Sequence, residues 1–161
     1  MILIVGGRNQ GKEAFARQLL AGQEAGGTDG WLVSLVDGRT DFWVSAVGAR
    51  CILNIHEMLR QMAAEGINTD DFLRLLLRQP PQVITMDEVG CGIVPVDAGE
   101  RRYRELCGMA GQTLAAQADT VIRMVCGIPM YIRGTSETMC AGSSDLQEEN
   151  SDGQTGANQR K

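Results

Sequence analysis

Lysine is almost missing from this chain of 161 residues. Only Lys12 and Lys161 occur, against thirteen arginines. The basic residues together do not outnumber the acids, and the net charge is −5. A general nucleic-acid surface needs a basic excess, so that class of partner is excluded. Long apolar runs are missing too. None approaches the roughly 18 residues that cross a bilayer, so no membrane span is predicted. Met1-Ile2-Leu3-Ile4-Val5 has no basic region before it and no small-residue cleavage pattern, and reads as a strand rather than a secretory signal. The five cysteines are odd in number and form no CxxC pair. That speaks against a disulfide framework and against a structural zinc site. Free thiols in a reducing cytoplasm are the expectation.

Glycine is plentiful. The chain has 20, about 12% against an average near 7%. The length suits one domain with a sizeable core. Residues 135–161 hold five acids and two bases among Ser, Gly, Gln and Asn. They lack the apolar surface needed to offset ordering entropy, so an acidic, disordered tail is expected after a domain spanning 1–134.

Strand and helix signals alternate. Short apolar runs at 2–5, Trp31–Val36 and 83–86 each end in glycine or acid. Helical patterns follow at Gly11–Glu24, 44–64, Asp70–Arg78 and Asp97–Ala118. In the second of these, Val44, Val47, Cys51, Ile55, Leu59 and Met62 fall at steps of three and four. Thr120–Val125 and Met130–Ile132 are two last strands, with a tight turn around Cys126-Gly127. This order predicts an α/β fold of three layers, with a mostly parallel sheet covered on both faces and a C-terminal antiparallel hairpin.

Chemistry concentrates at Gly6-Gly7-Arg8-Asn9-Gln10-Gly11-Lys12. It fits GxxxxGK between a strand and a helix. Glycines let the backbone wrap so that N–H groups point at phosphates, and the helix N-terminus adds partial positive charge. The lysine supplies a full charge to the β- and γ-phosphates. Nucleotide binding is therefore expected from Gly6, Gly7, Arg8, Asn9, Gln10, Gly11, Lys12 and Glu13. The next position normally carries Ser or Thr for Mg²⁺, and here it is Glu13. Asp37 closes a strand where a metal-holding acid would stand, although a turn aspartate before Gly38 reads equally well. Asp87 and Glu88 end the next strand at the same sheet edge. Arg101, Arg102 and Arg104 cluster at a helix start, either as a solvated face or as phosphate contacts. His56 sits mid-pattern beside apolar Ile55, and a structural role is the plain reading.

Residues 87–119 carry a more specific pattern. They read Asp-Glu-Val-Gly-Cys-Gly-Ile-Val-Pro, then Arg-Arg-Tyr-Arg-Glu-Leu-Cys-Gly, then Gln112, Leu114-Ala115-Ala116 and Ala118-Asp119. This resembles the adenosylcobinamide kinase/adenosylcobinamide-phosphate guanylyltransferase family of cobalamin assembly. That family has an E-V-G-x-G-I-V-P loop, an R-x-(F/Y)-R-x-L-x-G helix and N-Q-x-L-A-A-x-A-D. The resemblance implies a RecA-like P-loop fold. It implies phosphorylation of adenosylcobinamide with ATP or GTP, then GMP transfer, with Mg²⁺ as cofactor. It carries over Glu88 and Pro95 directly, and it favours Lys12 and Glu88 as catalytic residues. Asp37 and Glu88 would position Mg²⁺. Gly90, Gly92, Pro95, Arg101, Arg102 and Arg104 would touch phosphate or the corrinoid.

The family passes GMP through a covalent histidine in a segment between the P-loop helix and the next strand. Only ten residues separate Leu20 from Trp31 here, and none is histidine. His56 does not match that histidine by position. The reading is thus a shortened kinase/guanylyltransferase, or alternatively a non-catalytic nucleotide- or corrinoid-binding relative serving as a partner subunit. Either is compatible with a homo-oligomer.

Overall fold

The computed structural model of the chain describes residues 1–24, 34–90 and 95–135. The elements run β1 (Ile2–Gly6), α1 (Lys12–Glu24), β2 (Leu35–Asp37), a 3-10 turn (Trp43–Ala46), β3 (Cys51–Leu53) and α2 (Ile55–Glu65). Then follow α3 (Thr69–Leu76), β4 (Val83–Asp87), α4 (Ala98–Gln117), β5 (Thr120–Val125) and β6 (Ile128–Arg133). Six strands form one sheet in the order β2-β3-β4-β1-β5-β6. All pairs are parallel except β5 with β6. The fold is the three-layer α/β P-loop type with a C-terminal antiparallel hairpin.

Successive strand residues point to opposite faces, and both faces are buried along the central strands, while edge strand β6 is largely exposed. Ile4, Cys51, Leu53, Val83 and Ile122 pack under Ala16 and Leu20 of α1. Leu3, Ile52, Ile84 and Val121 pack instead against α2, α3 and α4 through Met58, Leu59, Phe72, Leu73, Cys107 and Leu114. Lys12 opens α1 directly after the loop, and Asp97 caps α4 by accepting from the Glu100 N–H.

The expected helix over 44–64 is corrected. That stretch holds the 3-10 turn, strand β3 and then α2. Cys51, Ile52 and Leu53 are fully buried between the two layers, so they need three consecutive apolar residues rather than one stripe. Two of the spaced apolar positions imitate a helix because Cys51 belongs to the strand and Ile55 to α2. Asn54, at φ 54°, makes the break between them. The tight turn is as expected: Cys126 and Gly127 both have positive φ, the pairing that a two-residue hairpin with native twist requires. Of the expected strand Trp31–Val36, the part before residue 34 lies outside the described residues. So do Gly92 and the tail from 136 onward. Among the described residues, no helix is long and apolar enough to cross a membrane.

Candidate functional site

The carboxyl ends of β1, β2, β3 and β4 open on one sheet edge, the edge where parallel α/β sheets hold ligands. A cavity of about 530 Å³ lies there. The 6–12 loop forms its floor, with Arg8, Asn9, Gln10, Gly11, Lys12 and Glu13 among its lining residues. Gly6 is required where the loop leaves β1. A Cβ on it would stand 2.6 Å from the Met124 carbonyl oxygen on β5. The β5–β6 turn fixes the loop from the other side. Cys126 N–H donates to Gln10 Oε1, and Gly127 N–H donates to the Gln10 carbonyl at 3.2 Å.

Lys12 is buried. Its Nζ donates to the Gly7 carbonyl at 2.7 Å and lies 2.6 Å from Asp87 Oδ1. An ammonium so placed is already dehydrated and aimed across the loop, and phosphate oxygens are its natural further partners. Asp87 ends β4 and is itself held by α2. Its N–H donates to His56 Nδ1 at 3.1 Å, and its Oδ2 lies 3.4 Å from His56 Nε2. Burial holds the His56 pKa below its ordinary value, against the upward pull of Asp87 and Glu57. Because Nδ1 accepts, the neutral ring carries its proton on Nε2. Tyr103 of α4 donates to the His56 carbonyl at 3.1 Å, and the Arg60 guanidinium stacks 4.0 Å over the Tyr103 ring. Both side chains line the far wall of the cavity.

The near wall is a second charged group. Asn54 Nδ2 donates to Glu13 Oε1 at 3.0 Å and to Asp37 Oδ1 at 3.1 Å. Arg39 Nη2 lies 2.9 Å from Glu13 Oε2 and 2.6 Å from Asp37 Oδ2. Burial raises the Asp37 pKa, but hydrogen bonds from Arg39 and Asn54 outweigh it and bring the value to about 2. The folded value thus lies below the ordinary 3.8. Asp37 therefore stabilises the fold fully above that ordinary value and loses its contribution as pH falls toward 2. In chemical denaturation, stability should fall by about 1 kcal/mol per pH unit more in the wild type than in Asp37→Asn across this window. Parallel acid profiles for the two proteins would refute the role of Asp37.

Most of the expected site residues meet at this edge, in two groups. The loop residues, Lys12 and Glu13 face the cavity, and Asp37 lies behind Glu13. Glu88 shares the edge, since its N–H donates to the Gly6 carbonyl at 3.0 Å. Its carboxylate turns to the far side of β1, where it meets Arg123 of β5 at 2.8 Å. Arg101 closes on its own loop by donating to the Pro95 and Val96 carbonyls at 3.0 and 2.6 Å. Arg102 is exposed and Arg104 half-buried. Gly90 follows Glu88 in the strand-end turn with φ 133°.

Asp87, rather than Glu88, is the acid that meets Lys12. Sequence reasoning also passed over Asn54, His56, Arg39, Arg60 and Tyr103 as cavity residues. For the first two, the available signal was the Cys51-Ile52-Leu53 run followed by a turn-forming Asn. Read as a strand, it puts Asn54 and His56 at the same edge as Lys12.

The donor set tests the expected Mg²⁺ site. Asp37 and Glu88 each carry a guanidinium partner, and the usual hydroxyl is replaced by Glu13, which shares Arg39 with Asp37. Among the described residues, no group of three His, Cys, Asp or Glu side chains could hold a metal ion. The residues present do not fit a preformed Mg²⁺ site.

Comparison with known proteins bears on the same chain. Residues 35–132 match the family model described as cobinamide kinase / cobinamide phosphate guanyltransferase. The match begins downstream of the 6–12 loop, so the loop's reading stands on its own geometry. The chain is also 39% identical over 69 residues to the bifunctional adenosylcobalamin biosynthesis protein CobU of Salmonella typhimurium. That stretch covers 40% of this chain and 38% of the Salmonella protein, well under half of its length.

Proposed function

This chain belongs to the cobinamide kinase / cobinamide phosphate guanyltransferase family, and from that premise we propose that it phosphorylates a cobinamide with ATP or GTP in cobalamin biosynthesis. Residues 1–134 form the nucleotide-binding domain in this reading. The observation that carries it is Lys12, dehydrated at the cavity floor between the Gly7 carbonyl and Asp87.

The cobinamide hydroxyl oxygen attacks the γ-phosphorus, and the bond from that phosphorus to the bridging oxygen breaks. Negative charge passes to the departing nucleoside diphosphate. Backbone N–H groups of the 6–12 loop and the Lys12 ammonium offset that charge. Phosphate oxygens take Lys12 from Asp87. The Asp87 carboxylate, oriented by His56 and its own backbone bond, then receives the hydroxyl proton. Glu88 acts as a positioning residue by holding Arg123 beside the loop. In this reading Arg101, Arg102 and Arg104, with Gly90, Gly92 and Pro95, are the residues that contact the corrinoid or its phosphate.

Guanylyl transfer is the second half of the family's activity. There a histidine attacks the α-phosphorus of GTP and pyrophosphate leaves, and a phosphate oxygen of the kinase product then takes the GMP and frees the histidine. The segment that carries the family's covalent histidine has no counterpart between Leu20 and Trp31, so the kinase half leads the proposal. Purified protein is incubated with adenosylcobinamide and either GTP or ATP, and the products are read by mass spectrometry. A phosphorylated corrinoid is the expected product. A GDP-linked product would extend the proposal to both halves. No product with either nucleotide would overturn it in favour of a nucleotide- or corrinoid-binding relative.

A further inference from the structure

We propose that Arg39 is a resident cation for the nucleotide phosphates, occupying the place that a divalent ion takes at an ordinary P-loop. The inference rests on the nucleotide-binding reading above and adds to it that binding needs no metal. In the usual arrangement, a Ser or Thr after the lysine and an acid at a strand end hold Mg²⁺ against the phosphates. Here those two positions are Glu13 and Asp37, and one guanidinium joins them.

Every carboxylate oxygen of the pair already has a donor. Asp37 Oδ1 accepts from Arg39 Nε at 3.1 Å, from the Arg39 N–H at 3.0 Å and from Asn54 Nδ2 at 3.1 Å. Asp37 Oδ2 accepts from Arg39 Nη2 at 2.6 Å and from Nε at 3.1 Å. Glu13 Oε1 accepts from Asn54 at 3.0 Å, and Glu13 Oε2 from Arg39 Nη2 at 2.9 Å. Mg²⁺ demands near-octahedral oxygen ligands and gives up water reluctantly. To enter, it would have to expel a permanently charged fork bound in bidentate geometry.

Arg39 is also placed to meet a ligand. It lines the cavity with Lys12 and Arg8. Its Nε and Nη2 are spent on the two carboxylates, while Nη1 has no hydrogen-bond partner among the described residues. Two acids with one guanidinium leave a net negative charge, and Arg8 adds a positive charge to the same cavity lining. Asn54 is buried, and its amide ties Glu13 of α1 to Asp37 of β2. The guanidinium is therefore held at a fixed point beside the loop. A metal usually fills such a point only when it arrives with the nucleotide.

The test is GTP titration by calorimetry, in EDTA and in millimolar Mg²⁺. For the wild type, the two dissociation constants should agree within about threefold. In Arg39→Ala, metal-free affinity should fall about tenfold or more, and Mg²⁺ should recover most of it at the vacated Glu13 and Asp37. Arg39→Lys keeps the charge without the fork and should bind more weakly while staying metal-independent. A wild type that gains more than about tenfold from Mg²⁺ overturns the proposal while leaving nucleotide binding intact. So does an Arg39→Ala that loses only thermal stability and still binds GTP equally with and without metal. Absence of GTP binding under every condition overturns both this proposal and the nucleotide-binding reading.

Discussion

Lys12→Ala should weaken GTP or ATP binding by about 100-fold or more, because it removes a buried charged donor aimed at the phosphates. The loss has two sources. The phosphate chain loses the buried positive charge that the loop aims at it. The Gly7 carbonyl and the Asp87 carboxylate also lose their shared donor. Asp87 is then left partly buried without its ion-pair partner, which destabilises the fold as well. Fully buried pairs cost about 3–5 kcal/mol when one partner is removed. Asp87 faces the cavity, where water can reach it, so the cost here is smaller. Circular dichroism and thermal melts separate the two effects. A folded Lys12→Ala protein that binds nucleotide as tightly as the wild type would remove Lys12 from the site.

The fold was legible in the sequence wherever one residue type had one plausible use. Gly6 through Lys12 sits between a strand and a helix, and the chain has only one other lysine, so the loop could be read directly. Pro80-Pro81 stops α3, and Cys126-Gly127 turns the last hairpin. Strand β3 escaped because three buried residues in a central parallel strand have no alternation, and a neighbouring helix supplied a false period. That error also hid half of the site. With 44–64 taken as one helix, Asn54 and His56 lay mid-helix rather than at the end of a strand. Asp87 against Glu88 was a separate matter. Adjacent strand residues point to opposite faces, and only the register of β4 on β1 decides which carboxylate meets Lys12. A family pattern that marks Glu88 says nothing of that geometry.

Gly38→Ala should lower stability by about 2–4 kcal/mol, a fall in melting temperature of roughly 8 °C or more, and should weaken nucleotide binding with it. Gly38 sits where β2 passes the start of α2. A Cβ there would lie 2.3 Å from the Asn54 carbonyl oxygen and 3.0 Å from Met58 Cγ. The methionine can swing away, but the carbonyl belongs to the backbone at the strand-to-helix break. That backbone is held from both sides: Gly38 N–H donates to the Leu53 carbonyl at 2.8 Å, and Asn54 N–H donates to Thr85 Oγ1 at 2.8 Å. Gln61 Nε2 adds a bond to the Gly38 carbonyl at 3.1 Å. Relief must therefore come from moving β2 away from α2. Asp37 and Arg39 move with it, and the Asn54 amide can then no longer bridge Asp37 and Glu13. The substitution thus connects a packing contact to the charged wall of the cavity. Far-ultraviolet melting and GTP titration on the same sample should report both losses together. A variant that melts like the wild type would show that the Gly38–Asn54 approach relaxes freely, and the rigid placement of Arg39 would then lose its support.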